Sequence, residues 1–273
     1  MISVITAIHN QLAVNKIFHE YLRRYTRLPF ELIIIDNNSS DGSGEFFSSV
    51  GARVIQNDGN YSYPFCQNQG IRAARHDILA FLNNDIIVSP DWDKHILATM
   101  EHNGLELATC CGVERLENAA ATKFIRKKWS LIKNTVGLMG NNKRTLRLMH
   151  KIMYGNWEAF TKRRFDKFQL TVRGGFVGNT VLMKRSALEK IGFWDERINA
   201  ADFDLYFRSK KRSLEVGDIK PIQIALGAFN HHFIKVTLKS APPPFKDQSR
   251  LISLEEKWGI PAMQAYKRDL DLA

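Results

Sequence analysis

Three short stretches of this chain hold residues whose types and spacing could do chemistry. In "ILAFLNNDIIV" an apolar run of strand length carries two amides and a carboxylate at its centre, Asn83, Asn84 and Asp85. Burying an unpaired acid is expensive or forces it to take up a proton, so Asp85 belongs where the chain leaves the core and something needs its charge. In "ADFDLYFR" two acids, Asp202 and Asp204, stand two residues apart and so on different faces of one helix. An ionised acid beside a pocket can accept a proton. In "FNHHF" the adjacent His231 and His232 face opposite ways if they lie on a strand, so at most one of them can serve as a ligand. A pairing of one surface and one core histidine remains equally open.

The elements that must position these groups follow from periodicity. "ISVITAI" (2–8), a helical pattern over 14–25 and "ELIIID" (31–36) read as strand, helix, strand, with strands buried on both faces. "DNNSSDGS" then supplies turn and capping residues, Asp41 among them, and a helix begins near Gly44. "ARVIQN", "CQNQGIRAAR" and "DILAFLNN" continue the alternation as strand, helix and strand. A doubly wound sheet is expected, and in such sheets ligands bind beyond the carboxyl ends of the strands, where His9, Asp36 and Asp85 fall. Further on, Ser186 and Glu189 have capping-box spacing and Gly192 can end the helix they start. A later helix should run from Asp202 to Lys211, anchored by Phe203, Tyr206 and Phe207, with its dipole stabilising the ionised Asp202. "APPPF" (241–245) reads as a stiff linker before a C-terminal helix.

Composition excludes several classes. With 273 residues, 44% hydrophobic and 25% charged, the chain is ordinary for a globular protein with a sizeable core. Cys66, Cys110 and Cys111 have neither disulfide-framework nor zinc-ligand spacing, which reads as a reduced, cytoplasmic protein. No apolar run approaches the length of a membrane span, so the chain is expected to be soluble or to lie peripherally on the cytoplasmic membrane face. The net charge of +11 is concentrated: thirteen lysines and arginines between Lys123 and Lys167 face only Glu158 and Asp166. That block suits a catalytic body with a basic insertion better than a nucleic-acid-coating protein. The nucleic-acid alternative would use it with Trp129, Tyr154 and Trp157 as stacking groups. Within the block Ile125, Trp129, Ile132, Val136 and Met139 form one apolar helical stripe, which could lie on an anionic membrane or pack on the core or a second subunit.

Taken in order, "SVITAIHN", "IIIDNNSSDGS", "NQGIRAA", "FLNND", "GNTVLMKRSALEKIGFWDE" and "ADFDLYFR" resemble the family 2 glycosyltransferases of the GT-A fold. The resemblance implies a GT-A-type α/β domain over 1–240, with a mostly parallel sheet flanked by helices. Its nucleotide-sugar half would span about 1–115, a basic helical insertion 116–170 and an acceptor and catalytic half 171–240, ahead of a C-terminal linker and helical segment over 241–273. It implies a metal-dependent inverting transferase that moves a sugar from a UDP- or dTDP-type donor to a saccharide or lipid-linked saccharide acceptor, in surface glycan biosynthesis. Asp85, with His232 favoured over His231, would bind Mn²⁺ or Mg²⁺, although Asn83 and Asn84 stand where the family often has acids. Donor contacts would come from Ala7, His9, Asp36, Asn37, Asn68, Asn83 and Asn84. Asp202 matches the base, with Asp204 as the alternative and Ala201 where a Glu is usual, and Asp195 and Glu196 lie on the acceptor side or shape its loop. A sugar nucleotidyltransferase is disfavoured because no glycine-rich loop follows "SVITAI", and a dehydrogenase because no Gly-x-Gly-x-x-Gly does.

Overall fold

The computed structural model describes residues 1–234, 243–267 and 270. Chain order opens with β1 (Ile2–Ile8), α1 (Leu12–Tyr25), β2 (Phe30–Asp36), α2 (Ser43–Ser49), β3 (Arg53–Gln56), α3 (Tyr63–Ala73) and β4 (Ile78–Leu82). These match the alternation expected from the sequence. They do so because each strand alternates buried apolar residues toward both sides: Ile34 and Leu82 toward one cluster, Ile33, Ile35 and Phe81 toward the other. β5 (Ile86–Ile87), α4 (Trp92–Asn103) and β6 (Leu107–Cys111) follow. The basic segment comes next: α5 (Ala119–Thr135), a 3-10 turn (Val136–Met139), α6 (Lys143–Tyr154) and α7 (Trp157–Phe168). The second half comprises β7 (Val172–Gly174), β8 (Thr180–Lys184), α8 (Arg185–Ile191), α9 (Ala201–Glu215), β9 (Gln223–Phe229) and β10 (His231–His232), and the C-terminal helices α10 (Leu254–Trp258) and α11 (Ile260–Lys267).

Among the described residues the main sheet has eight strands in the order β3-β2-β1-β4-β8-β6-β9-β7. β1 through β4 are parallel, β8 is wedged antiparallel between β4 and β6, and β9 runs parallel to β6. The chain reverses its order beside β1, so the carboxyl ends of β1, β2 and β4 open one crevice. A separate two-residue ribbon pairs β5 with β10 antiparallel, His232 opposite Ile86 and His231 opposite Ile87.

Three local expectations change. Helix α8 starts at Arg185 with Lys184 before it, and Ser186 donates to Glu106 Oε2 (3.2 Å), so there is no Ser186–Glu189 capping box; Gly192 does end the helix, at φ 75°. The stripe on α5 faces inward: Ile125, Trp129 and Ile132 are buried in the same cluster as the sheet, with Trp129 edge-on to His231 at 4.8 Å. The helix ends before Val136, and Met139 lies exposed in the 3-10 turn. A 3.6-residue period shows that one face is covered, not what covers it. Burial of Trp129, Tyr154 and Trp157 also removes the stacking platform that a nucleic-acid reading needed.

Of "APPPF", Ala241 and Pro242 lie outside the described residues. Beyond them the chain is pinned to the first half: Asn60 Nδ2 donates to the Pro243 carbonyl (2.6 Å), and Asp247 accepts from the Ser62 amide and hydroxyl (3.0 and 2.5 Å). Met263 and Leu270 complete the core on the α3–α9 face.

Candidate active site

Asp85 leaves β4 through the Asn83–Asn84 turn and is only 5% exposed. Two contacts among the described residues help to fix it. The Phe233 amide donates to its carbonyl (2.9 Å), extending the β5–β10 ribbon, and the ribbon brings His232 Nε2 to 3.0 Å from its carboxylate. The other ring nitrogen of His232, Nδ1, meets Glu114, whose carboxylate also accepts from Asn179 Nδ2 (3.0 and 3.1 Å). Burial opposes charge on the imidazole, but the carboxylates of Asp85 and Glu114 overcome it and hold the His232 pKa well above the ordinary value. Burial also opposes charge on Glu114, and the His232 ring with the Asn179 amide keeps its pKa below the ordinary one. His231 points the other way, into an aromatic cluster with its Nδ1 2.9 Å from Tyr154 Oη, and burial keeps it neutral. The opposed facing of the two histidines is what strand geometry demands.

A carboxylate oxygen facing an imidazole nitrogen is a donor pair that Mn²⁺ or Mg²⁺ can use once the ion displaces the proton from His232 Nε2. Glu114 occupies the far side of the ring and cannot reach the same ion, and among the described residues no three His, Cys, Asp or Glu converge on one point. Two protein donors leave positions for phosphate oxygens and water, the usual pattern for these ions beside a nucleotide. The residues therefore fit a divalent ion that arrives with its ligand.

Asp202 sits in the first turn of α9 and lines a cavity of about 290 Å³ with Asn83, Tyr63 and Gly178. Its Oδ1 is buried with no hydrogen-bond partner among the described residues. Burial, reinforced by the charge on Glu114 and eased by His232, pushes its pKa up to about 6. The dipole expected to hold this group ionised is outweighed by desolvation. Gly178 makes the space: a Cβ there would fall 1.8 Å from Asp202 Oδ2. Gly178→Ala should therefore fold, since only a rotatable carboxylate stands in the way, yet lose about 10²-fold in turnover as Asp202 is displaced. Steady-state kinetics beside a melting curve check this; full turnover would show that the position of Asp202 does not matter.

A larger cavity of about 910 Å³ shares Gly178 and Phe203 with the first and extends between Glu114, Phe176, Val177 and the exposed side of α5. Asp204 is elsewhere. It is 1% exposed and accepts from Arg208 Nε (2.8 Å) and Trp258 Nε1 (2.9 Å), with Lys257 Nζ at 2.6 Å, a buried ion network that ties α9 to α10.

The remaining expected residues divide. Asp36 ends β2 at the crevice, where its Oδ1 accepts from the Ser39 amide (3.0 Å) and its Oδ2 points at Gly44, so it shapes the turn as well as lining the crevice. His9 Nδ1 donates to the Asn37 carbonyl (2.8 Å) beside Ala7 at the end of β1. The Asn37 side chain is fully engaged inside the fold, donating to Asn60 and Tyr61 and accepting from Asn57 and Cys66. No amide edge is left there for a nucleobase. Asn68 spends its amide on Trp194 and Glu196, and Asn84, just past β4, donates to Asn15 Oδ1 (2.7 Å) on α1. Asp195 holds Arg197 and Lys257, Arg197 first among the causes that keep it well below the usual carboxylate range, so with Glu196 it braces the loop before α9. Asp41 accepts from the Leu12 and Ser43 amides and joins α1 to α2.

Glu114 and Asn179 were missed. Glu114 lies just past the end of β6, so the rule that drew attention to Asp36 and Asp85, an acid beyond a strand's carboxyl end, would have found it had β6 been recognised.

The family model described as Glycosyl transferase family 2 matches residues 3–192, well over half of the chain and including Asp36, Asp85 and Gly178. The chain belongs to glycosyltransferase family 2. Among relatives of this chain, the uncharacterized glycosyltransferase YfnE of Bacillus subtilis is 27% identical over 216 residues, 68% of this chain and 54% of that protein. The amylovoran biosynthesis glycosyltransferase AmsB of Erwinia amylovora is 25% identical over 213 residues, 75% of this chain and 60% of its own length. The chain thus spans little more than half the length of these relatives. Two solved glycosyltransferase structures share its GT-A fold. One is the Pyrobaculum calidifontis mannosyltransferase PcManGT in complex with GDP-Man and Mn²⁺: TM-score 0.54, 14% identity, covering 97% of this chain and 73% of that one. The other is S. aureus TarS 1–349 in complex with UDP: TM-score 0.54, 13% identity, covering 100% and 67%.

Proposed function

We propose that this family 2 glycosyltransferase moves a sugar, with inversion, from a UDP- or dTDP-linked donor to an acceptor hydroxyl held over Asp202. One observation carries the reading: a carboxylate whose Oδ1 is buried without a hydrogen-bond partner among the described residues, poised at about 6, lines the smaller of two cavities that share Gly178 and Phe203, close enough to Glu114 and His232 to feel their charge. A base tuned near neutrality is what proton removal from a hydroxyl requires. Asp202 takes that proton as the acceptor oxygen bonds to the anomeric carbon. On the opposite side the bond to the diphosphate oxygen breaks, and its electron pair leaves with the diphosphate. Asp85 and His232 would hold Mn²⁺ or Mg²⁺, which when bound supplies positive charge to the departing diphosphate. The Asp36 carboxylate would accept the N3–H of a uracil or thymine ring. The complexes of PcManGT with GDP-Man and Mn²⁺ and of TarS with UDP support a nucleotide-sugar donor, and the name of AmsB, an amylovoran biosynthesis glycosyltransferase, supports a role in polysaccharide biosynthesis.

Thermal shift with UDP, dTDP and GDP, each with and without Mn²⁺, tests the donor side, because a ligand that binds only the native state raises its apparent stability. A Mn²⁺-dependent rise with UDP or dTDP is expected. A rise with GDP alone would reverse the base assignment, and no rise with any of them would sink the donor reading.

The acceptor is a saccharide or lipid-linked saccharide in this reading, and the enzyme meets it at an anionic membrane surface. No helix among the described residues is long and apolar enough to cross a membrane. The face offered to lipid is not the inward stripe but Phe124 and Leu131 on α5 with Leu138 and Met139 after it, 73, 66, 80 and 66% exposed, with Lys128 on the same side of the helix. Co-sedimentation with anionic vesicles that weakens in high salt, and is lost in Phe124→Ser/Leu131→Ser/Leu138→Ser, is expected. Equal recovery with neutral vesicles, or none with either, would remove the membrane from the picture.

A further inference from the structure

We propose that the larger cavity takes an acceptor that is itself anionic, a saccharide carrying a carboxylate or a phosphate group, and that Lys123, Arg126 and Lys127 of α5, with Arg115 and Arg173, select for it. The cavity's charge is one-sided. Among the described residues those five line it together with a single acid, Glu114, already committed to His232 and Asn179, and it is the three on α5 that supply free charge. Lys123, Arg126 and Lys127 have no carboxylate partner among the described residues, whereas Arg24, Arg147 and Lys162 outside the cavity are each paired with Glu158, Glu20 or Asp166. Holding like charges three and four residues apart on one helix destabilises that helix. A neutral ligand would gain nothing from the arrangement.

The rest of the cavity suits a sugar. Phe176 and Phe203, edge to face at 5.0 Å, form an aromatic wall, and Ala119, Ala120 and Val177 keep the floor free of bulky side chains. At about 910 Å³ the space is at the upper end for a small-molecule site and exceeds what one ring needs. α5 therefore has three faces: Ile125, Trp129 and Ile132 on the core, Lys123, Arg126, Lys127 and Ser130 on the cavity, and Phe124 and Leu131 bare. An acceptor whose hydroxyl reaches Asp202 past Gly178 has its following portion among the cations, where a carboxylate or phosphate forms charge-assisted hydrogen bonds.

The inference rests on the reading of Asp202 as the acceptor-side base, and the test separates the two. The full chain is titrated by calorimetry with trigalacturonate and its neutral trimethyl ester, and with undecyl pyrophosphoryl N-acetylglucosamine and the neutral undecyl glycoside. UDP with Mn²⁺ is titrated in parallel. At least one charged probe should bind ten-fold or more tighter than its neutral twin, with salt weakening it, and which pair responds tells a carboxylate from a pyrophosphate. Arg126→Glu/Lys127→Glu should abolish that preference with the melting temperature retained, whereas Arg163→Glu, on α7 outside the cavity, should not. Neutral twins binding as well as charged ones, no charged probe binding, or equal losses from Arg163→Glu would overturn the proposal. UDP binding without a charge preference leaves the transferase reading standing and removes this one; a charge preference without UDP binding leaves this one standing and removes UDP as the donor nucleotide.

Discussion

Asp202→Asn lowers turnover by about 10² to 10⁴, the usual worth of a general base, and leaves nucleoside diphosphate affinity near that of the native chain. Asparagine keeps the size of the side chain and loses the proton acceptor. The native enzyme should show an acid limb with a midpoint near pH 6, because Asp202 works only when ionised and its pKa is raised to about 6 by burial, then by the charge on Glu114. That limb should vanish from the residual activity of the variant. Stability moves the opposite way. A carboxyl with a raised folded-state pKa costs stability wherever it is ionised in both states, above about pH 6, and costs nothing where it is protonated in both, below its ordinary value. The variant should therefore melt higher than the native chain at pH 7 to 8 and no higher at pH 3.5. Asp204→Asn is the contrast, since it leaves Arg208 and Lys257 without their buried partner and should lower the melting temperature at neutral pH. If Asp204→Asn instead keeps its stability and loses turnover while Asp202→Asn stays active, the base is Asp204.

Asp85→Ala is expected to abolish metal-dependent binding of the donor nucleotide, a loss of at least about 10²-fold, as for removal of a metal's protein ligand. The reasoning is local. Asp85 is the carboxylate opposite His232 Nε2, and Glu114 on the far side of the ring cannot replace it. Calorimetry with UDP, with Mn²⁺ and with EDTA, reads the difference: the native chain should respond to the metal and the variant should not. An unchanged response to Mn²⁺ in the variant would remove Asp85 from the ion.

Much of this was legible in the sequence, for reasons that can be named. β1, β2 and β4 are nearly unbroken runs of β-branched and large apolar residues, so their ends could be located to within one or two residues. Asp85 and Asp202 stood out because a charge in or beside an apolar run needs a cause. What was not legible depended on partners distant in sequence. The antiparallel strand β8, wedged between β4 and β6, has the same apolar character as a parallel one. Asn37 and Asn68 have side chains able to read a ligand, but an amide bonds whatever the fold places nearest, and here that is Asn57, Asn60, Trp194 and Glu196. The stripe on α5 was visible; that the sheet covers it was not. For Asp202 the helix-terminus effect could be read from the pattern, whereas the stronger desolvation depended on a cavity only the fold creates.

The two-residue ribbon has a consequence for how the site comes into being. Asp85 is made early in synthesis and can fold with the parallel strands around it, but His232, its partner across β5 and β10, arrives near the end of the described fold. Pairing residues so far apart in sequence is costly in loop entropy, so it should form late, and the burial of His231 and Phe233 among Trp129 and Tyr154 is what offsets that cost. Until then Asp85 and Glu114 lack the cation that lies between them. A partly made chain can thus have a crevice ready for a nucleotide while its charge centre is still unassembled, and the chemistry waits for the whole chain.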